Sequence, residues 1–287
     1  MIYEFIQGHQ SHYRVERMCR LLRVSRSGYY AWRSRDPGIR KQEDAMLTRK
    51  IQEAYRKGRG AYGSPRITEE LNSQGIGCGE NRIARLMRNI GLKAKSTRRW
   101  KRTTDSRHAH PMAPNRLKEL EGITHPNQVW VADITYLWTQ EGWFYLAAVL
   151  DLYSRKVVGW CMQNRLTQDL VIHSFQQAVF QRNPPPGLIF HSDRGSQYAS
   201  QSMRNLLQNH QLLQRMTGRG NCYDNAVMES FFHSLKTEWV RFHTYQTRLE
   251  AKQSLFEYIE IFYNRIRRHS SIDYYSPNDY ENLVPVS

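Results

Sequence analysis

Two patterns of hydrophobic and polar positions divide the chain near residue 120. Before it, apolar residues recur every three or four positions, which predicts short amphipathic helices. The first such series consists of Val15, Met18, Leu21 and Leu22. A turn at Arg23-Val24 and a capping hydroxyl at Ser25 then predict a second helix through Trp32. Two short helices joined by a tight turn are typical of a helix-turn-helix.

A second helical pair is predicted between Ala61 and Leu92. Ser64 and Pro65 suit the start of a helix, as capping hydroxyl and first-turn proline. The next helix should span 80–89 and end at Gly91, with three outward-facing basic positions: Arg82, Arg85 and Arg88. We expect these arginines to contact DNA from a helix-turn-helix, while packing of a basic helix on the core is the alternative.

Beyond residue 120 the pattern becomes that of an α/β domain. Three runs rich in Val, Ile and aromatic residues predict strands at 128–138, 143–152 and 156–162. The later elements predicted are a helix at 168–181, a strand at 187–191, a helix at 200–209, a strand at 211–216, a helix from Asp224 or Asn225 to about Val240, and a last helix at 247–265. This order predicts a ribonuclease-H-like fold.

Charge separates the same two parts of the chain. Residues 1–120 hold 27 basic and 11 acidic residues, a net charge of +16, whereas residues 121–287 hold 15 of each. A strongly basic arm beside a neutral domain is the pattern of a nucleic-acid-binding protein, and a merely solubilising basic surface is the alternative.

These patterns together predict five regions. They are a helical N-terminal region at 1–40, a helix-turn-helix module at 41–95, a basic linker at 96–120, a ribonuclease-H-like core at 121–242 and a helical extension at 243–287. No apolar run is long enough to span a membrane and the N-terminus lacks a secretion signal, so we expect a cytoplasmic protein. The four cysteines are scattered, which disfavours a zinc ribbon or a disulfide framework.

Three carboxylates stand out from their surroundings in this order of elements. Asp133 interrupts an apolar strand, where an unpaired buried charge would be costly. Asp193 ends the fourth strand, and Glu229 falls early in the helix that follows the fifth. In a ribonuclease-H-like order these positions can converge at one end of the sheet, which makes the three residues candidate catalytic groups.

Helix geometry assigns the neighbours of Glu229. Val227, Phe231 and Leu235 would form an apolar stripe, and Glu229, His233 and Lys236 would lie on another face. We therefore expect His233 and Lys236 to contact DNA beside the catalytic carboxylate.

Converging carboxylates repel one another unless cations hold them together. Oxygen ligands favour Mg²⁺ or Mn²⁺ over zinc, and a pair of such ions roughly 3.5–4 Å apart suits phosphoryl transfer. The sequence therefore predicts a magnesium enzyme that acts on phosphodiesters, with Asp133, Asp193 and Glu229 as the metal ligands.

Five motifs closely resemble the insertion-sequence-3-type bacterial transposases, in particular their downstream frame product, OrfB, with its retroviral-integrase-like core. They are DITYL (133–137), LDLYSRKVVGW (150–160), HSDRGSQY (191–198), GNCYDNAVMESFFHSLKTE (220–238) and YNRIRRH (263–269). The spacing agrees, with 60 positions from Asp133 to Asp193 and 35 residues between Asp193 and Glu229.

The resemblance implies a DDE catalytic triad at Asp133, Asp193 and Glu229, Mg²⁺ dependence, cleavage at transposon ends and 3′-hydroxyl strand transfer. It also implies double-stranded DNA partners (terminal inverted repeats and target), a homo-oligomer on DNA, and either an upstream OrfA product or an OrfA–OrfB fusion. Two alternatives stay open: a nuclease of the same fold that only hydrolyses, and a non-catalytic DNA-binding regulator.

Overall fold

The computed structural model describes residues 2–34, 38–95, 122–216 and 226–283. The chain divides into two compact units, residues 1–50 and 51–287. The predicted linker at 96–120 lies outside the described residues, as do Asp224 and Asn225, the expected start of the helix that carries Glu229. In the described part of the chain, no helix has the length and apolar character needed to cross a membrane.

The first unit is built from short helices: α1 (Ile2–His9), α2 (Val15–Leu21) and α3 (Arg26–Ser34). Ile6, Met18 and Tyr29 are buried between them. The Ser25 hydroxyl accepts a hydrogen bond from the Gly28 amide at 3.0 Å, which confirms its predicted capping role. Leu21, predicted on the apolar face, is instead 75% exposed, because Cys19 takes the inward position.

The predicted second helical pair is present. After α4 (Ile39–Lys57) come α5 (Ser64–Asn72) and α6 (Glu80–Asn89). Ile67 and Ile83 are fully buried, and Gly91 has the left-handed φ of +71° expected after α6. The prediction that Ser64 caps α5 is wrong, because the helix begins at Ser64 itself and Gly63 is its N-cap. The Ser64 hydroxyl instead donates to Glu80 at 3.2 Å.

The second unit contains a mixed five-stranded sheet. Its strands are β1 (Val129–Thr139), β2 (Gly142–Asp151), β3 (Val157–Gln163), β4 (Ile189–Ser192) and β5 (Leu213–Met216). The order across the sheet is β3-β2-β1-β4-β5, with β1, β2 and β3 antiparallel and β4 and β5 parallel to β1. This is the ribonuclease-H-like arrangement that the sequence predicts.

Helices cover the sheet. The helices α7 (Gln168–Arg182) and α8 (Gln201–Asn209) contribute to one apolar core, in which Phe175 and Met203 pack with Trp130 and Val149. The helix α9 (Ala226–Glu238) lies against β1. Met228, Phe231, Phe232 and Leu235 are its buried apolar residues, so the predicted stripe is wider than expected and Val227 is only half-buried.

The C-terminal region departs from the single long helix predicted at 247–265. A regular helix, α10 (Arg248–Phe256), continues as a π-helix over Glu257–Tyr263, followed by a 3₁₀ turn over Ser270–Ile272 and by α11 (Pro277–Glu281). After the π-helix, the Asn264 side chain accepts from the Val157 amide and donates to the Val157 carbonyl, both at 3.0 Å. Asn264 thereby satisfies the backbone of the edge strand β3. The helical periodicity carried no sign of this change of register.

Gly159 brings β3 against α7. A Cβ at this position would collide with the carbonyl oxygen of Ser174 and lie 2.7 Å from the Cβ of Ala178. Since both obstacles belong to a packed helix, the strand and helix would have to separate.

We predict that Gly159→Ala lowers the free energy of unfolding by about 1–3 kcal/mol through overpacking. Thermal denaturation measures this loss. The matched control is Gly77→Ala, where the added methyl meets no atom within 4 Å. Equal melting temperatures for the two variants would contradict the close approach of β3 and α7.

Candidate active site

The sheet register brings Asp133 and Asp193 side by side. Ala132 of β1 is the partner of Ser192 of β4, and the two aspartates are the next residues along these parallel strands. Neighbouring strands lie about 4.8 Å apart, so the two carboxylates extend from adjacent backbone positions beside the C-terminal end of β4. Asp133 is half-buried, and Asp193 is exposed just after β4 ends.

Backbone amides orient both carboxylates. Asp133 Oδ1 accepts from the Ile134 amide at 2.8 Å, and Asp193 Oδ1 accepts from the Gly195 amide at 3.0 Å. A Cβ on Gly195 would lie only 3.0 Å from that same Asp193 oxygen, so a side chain there would crowd the carboxylate. The small residue in the HSDRGSQY motif therefore has a local steric reason.

A buried phenol lies beneath the aspartate pair. Tyr198 is 1% exposed, and its hydroxyl has no hydrogen-bond partner among the described residues. Burial, together with the negative charges of Asp133 and Asp193, raises the pKa of Tyr198 well above its usual value. Both carboxylates thus act on the same hydroxyl, which supports their proximity. Tyr198 is the last residue of the HSDRGSQY motif, and the sequence alone did not predict a role for it.

Glu229 lies in the first described turn of α9, on its exposed side. Within the described ranges, no three His, Cys, Asp or Glu side chains converge closely enough to form a metal site. The structure therefore pairs the two aspartates but does not bring Glu229 into a group of three with them.

The two other side chains predicted on this face of α9 have different surroundings. His233 is exposed, whereas Lys236 is half-buried with its Nζ 5.0 Å from the centre of the Tyr136 ring. Tyr136 is on β1, three residues after Asp133, so this cation–π contact fixes α9 to the strand that carries the first aspartate.

A buried ion pair anchors the C-terminal end of α9. Glu238, 4% exposed, accepts from Arg267 through both carboxylate oxygens, each at 2.7 Å, and Arg66 approaches to 3.5 Å. Burial alone would raise the pKa of Glu238, but the two arginines outweigh burial and lower that pKa. Arg267 also donates to the Ser234 hydroxyl at 3.1 Å. Sequence reasoning missed this role, although the run of arginines in YNRIRRH was the available signal.

The three arginines of α6 are not equivalent. Arg85 and Arg88 are exposed, while Arg82 is half-buried. All three lie in a helix whose buried face is formed by Ile83, Leu86 and Met87. Two of the three arginines predicted to contact DNA therefore have exposed side chains.

The donor chemistry at the sheet edge fits a hard divalent cation. Two adjacent carboxylates offer anionic oxygen ligands and no competing sulfur or imidazole from the pair itself, which is the ligand type that Mg²⁺ prefers. Glu229 would add a third carboxylate of the same type.

Comparison with known proteins identifies the relatives of the chain. Residues 123–222 and 229–284 match two families described as Integrase core domain, and residues 41–100 match the HTH-like domain family. The Transposase InsF for insertion sequence IS3A from Escherichia coli (strain K12) is 41% identical over 98% of this chain and 99% of that protein. The chain belongs to the insertion-sequence-3 family of transposases.

Two further similarities accompany that assignment. The Insertion element IS600 uncharacterized 31 kDa protein from Shigella sonnei is 45% identical over 91% of the transposase and 96% of its own length. A solved structure of the simian T-cell lymphotropic virus intasome has a chain that aligns with a TM-score of 0.48 and 17% identity, covering 57% of each chain. The integrase core and the HTH-like domain make the transposase a DNA-acting enzyme of the polynucleotidyl-transferase type.

The same Glu→Gln substitution is expected to change the free energy of unfolding by very different amounts at the two glutamates of α9. Glu238→Gln leaves the buried Arg267 without its counter-charge, so the free energy of unfolding should fall by about 3–5 kcal/mol. Glu229→Gln, at an exposed position, should change it by about 0.5 kcal/mol or less. Chemical denaturation of the two variants tests the difference.

The pH dependence follows from the lowered pKa of Glu238. A carboxyl whose pKa is lower in the folded than in the unfolded state stabilises the fold above its unfolded pKa, here 4.5, and loses that contribution as pH falls through the folded pKa. Glu238→Gln should therefore flatten the loss of stability below pH 4.5. An unchanged acid-unfolding curve would mean that the pair contributes nothing net.

Proposed function

We propose that this transposase is a DDE-type strand transferase whose catalytic and metal-binding carboxylates are Asp133, Asp193 and Glu229. The observation that carries the proposal is the side-by-side placement of Asp133, within β1, and Asp193, just after the end of the parallel strand β4, near the buried Tyr198. The reaction class is cleavage at the ends of the element followed by attack of a 3′-hydroxyl on a second phosphodiester.

The protein's part in this chemistry is placement. The amides of Ile134 and Gly195 donate to Oδ1 of Asp133 and of Asp193, respectively, which supports an arrangement in which the two carboxylates share one metal-binding position. Mg²⁺ or Mn²⁺, when bound, would activate the attacking oxygen and stabilise the leaving oxygen of an in-line displacement. Strand transfer forms one P–O bond and breaks another, so the enzyme needs no further co-reactant.

The exposed position of Glu229 fits a third ligand that joins the pair when DNA and metal are bound. Three carboxylates brought together without cations would repel one another, so a separated third ligand is the expected arrangement of the protein by itself. His233 and Lys236 lie one and two turns further along α9, and we assign them to contacts with the DNA end.

Recognition of DNA is assigned to the basic N-terminal part of the chain. Its net charge of +16 over residues 1–120 suits phosphate contacts, with Arg82, Arg85 and Arg88 of α6 entering or flanking a groove. We further propose that the protein acts in the bacterial cytoplasm as an oligomer on double-stranded DNA, with an OrfA product or as an OrfA–OrfB fusion.

A nuclease of the same fold is the second candidate, because the carboxylate pair would serve hydrolysis equally well. The family assignment favours strand transfer over hydrolysis alone. A strand-joining assay with pre-cleaved ends of the element and a supercoiled target separates them, since a hydrolytic nuclease gives nicks without joined products.

We predict that Asp133→Asn and Asp193→Asn abolish cleavage and joining while DNA binding is kept, because each variant loses one charged metal ligand. Glu229→Gln should lower the rate by orders of magnitude at nearly unchanged stability. The assay compares joined product with Mg²⁺, Mn²⁺, Zn²⁺ and EDTA. Activity in EDTA, or in either aspartate variant, would rule out the two-metal mechanism.

DNA affinity should depend on the exposed arginines of α6. The double variant Arg85→Ala/Arg88→Ala should lower the slope of log affinity against log salt by about two phosphate contacts, at about 0.9 each. Fluorescence anisotropy at several salt concentrations measures the slope. The control is Arg165→Ala/Lys252→Ala, which removes two exposed charges elsewhere. The same slope for both double variants would place DNA on another surface.

A further inference from the structure

A cavity of about 570 Å³ opens beside α9, in the second unit of the chain. Its walls come from the start of α5, the turn between β2 and β3, the exposed side of α9 and the segment that follows the π-helix. The proposed mechanism gives this cavity no role. Its polar lining includes Arg66, Arg155, Ser230, Arg267 and Ser271.

The charge of the lining is unbalanced. Three arginines, Arg66, Arg155 and Arg267, face one carboxylate, that of Glu238, which leaves a net charge of +2. His269 adds no charge, because burial and the neighbouring Arg267 lower its pKa well below the usual value. Arg267 and Arg66 share the single carboxylate of Glu238, whereas Arg155 forms no ion pair with a described residue.

Arg155 is held in the cavity wall by an unusual turn. The buried Asp151 carboxylate accepts from the amides of Tyr153 and Ser154, and the Arg155 amide donates to the Asp151 carbonyl at 2.9 Å. The backbone at Arg155 adopts a left-handed φ of +63°, a conformation that non-glycine residues rarely take. Backbone strain of this kind is maintained only where the surrounding structure enforces it.

Burial desolvates the guanidinium of Arg155, and the nearby Tyr263 and Asp151 offset only part of that cost. The Arg155 Nε is buried and has no hydrogen-bond partner among the described residues, and burial lowers the pKa of Arg155. A buried cationic donor left unpaired is costly, and an anion in the cavity would remove that cost. The arrangement suits the binding of an anion.

The N-terminus of α5 adds to the positive potential. Pro65, in the first turn of α5, lines the cavity. The N-cap of α5 is Gly63, which has no side chain to satisfy the first amides. Helix N-termini carry partial positive charge and donate amides to anions.

We propose that this cavity binds a phosphate of the DNA backbone, with Arg155 as its principal ligand. This proposal rests on the proposed strand-transfer function, because it takes the bound DNA strand to be the one on which Glu229 of α9 acts. His233 lines the same cavity and is exposed on α9, one turn after Glu229. A phosphate held here would fix the strand close to the helix that presents the third carboxylate.

The first test removes the charge of Arg155. Arg155→Gln in the full chain should weaken binding of a short synthetic duplex roughly 10- to 100-fold, the loss expected for a hydrogen bond to a charged group. The salt slope should fall by about 0.9, the value of one phosphate contact. Arg165→Gln, an exposed arginine outside the cavity, should keep the wild-type slope. Anisotropy without metal gives both quantities, and thermal melting checks the fold.

A second variant covers the case in which Arg155→Gln unfolds. Ser271 is exposed at the cavity, so Ser271→Asp adds a negative charge without removing a buried group. It should weaken duplex binding in a salt-dependent way, whereas the control Ser202→Asp, on the exposed first turn of α8, should not. Wild-type affinity for Ser271→Asp, or for a folded Arg155→Gln, would overturn the proposal.

The two proposals fail separately. The binding assay contains no metal and requires no chemistry, so an unchanged salt slope would count against the phosphate site alone. Conversely, loss of affinity in Arg155→Gln combined with activity of Asp133→Asn would support the phosphate site and refute the DDE mechanism.

Discussion

The second unit depends on two consecutive arginines that follow the π-helix. Arg267 forms the buried pair with Glu238 at the end of α9. Arg268 donates to Glu70 of α5 at 2.7 Å and to the Ser73 hydroxyl at 2.7 Å. A single dipeptide thus holds the helix that carries Glu229 and the helix α5 of the HTH-like module. Because both glutamates are almost completely buried, either arginine is costly to lose.

The same segment also connects these helices to the sheet. Asn264 completes the backbone hydrogen bonds of edge strand β3, and the Tyr62 hydroxyl donates to the Ile266 carbonyl at 2.8 Å. The residues between Asn264 and Arg268 therefore contact the sheet, α9 and the HTH-like module in turn. The YNRIRRH motif therefore has a structural explanation, because its side chains connect α9 to the elements packed around it.

Local hydrophobic and polar patterns in the sequence predicted most of the helices and strands. Most of the features that these patterns missed depend on interactions between residues far apart in the sequence. The strands around Asp133 and Asp193 were readable because alternating β-branched and aromatic runs are bounded by turn residues. Their parallel register, which makes the two aspartates neighbours, followed only from the order of elements. The arginine run in YNRIRRH signalled a buried acid, but it did not identify Glu238, which lies 29 residues from its partner Arg267. The left-handed backbone of Arg155 depends instead on a local turn around Asp151.

Pairing with arginine separates the structural carboxylates of this chain from the candidate catalytic ones. Glu70, Glu238 and Glu281 each meet an arginine at 2.7–2.8 Å. Asp193 and Glu229 are instead exposed, and in the described part of the chain Asp193 accepts a hydrogen bond from the Gly195 amide. A protein stabilises a buried carboxylate with a fixed cation, but a fixed arginine at the catalytic pair would occupy the place of an exchangeable metal. The converse holds for Arg155, whose buried Nε lacks a partner in the described chain. An exchangeable metal would balance the exposed acids, and an anion would accept a hydrogen bond from the buried Nε of Arg155, so ligands from outside the chain suit both groups.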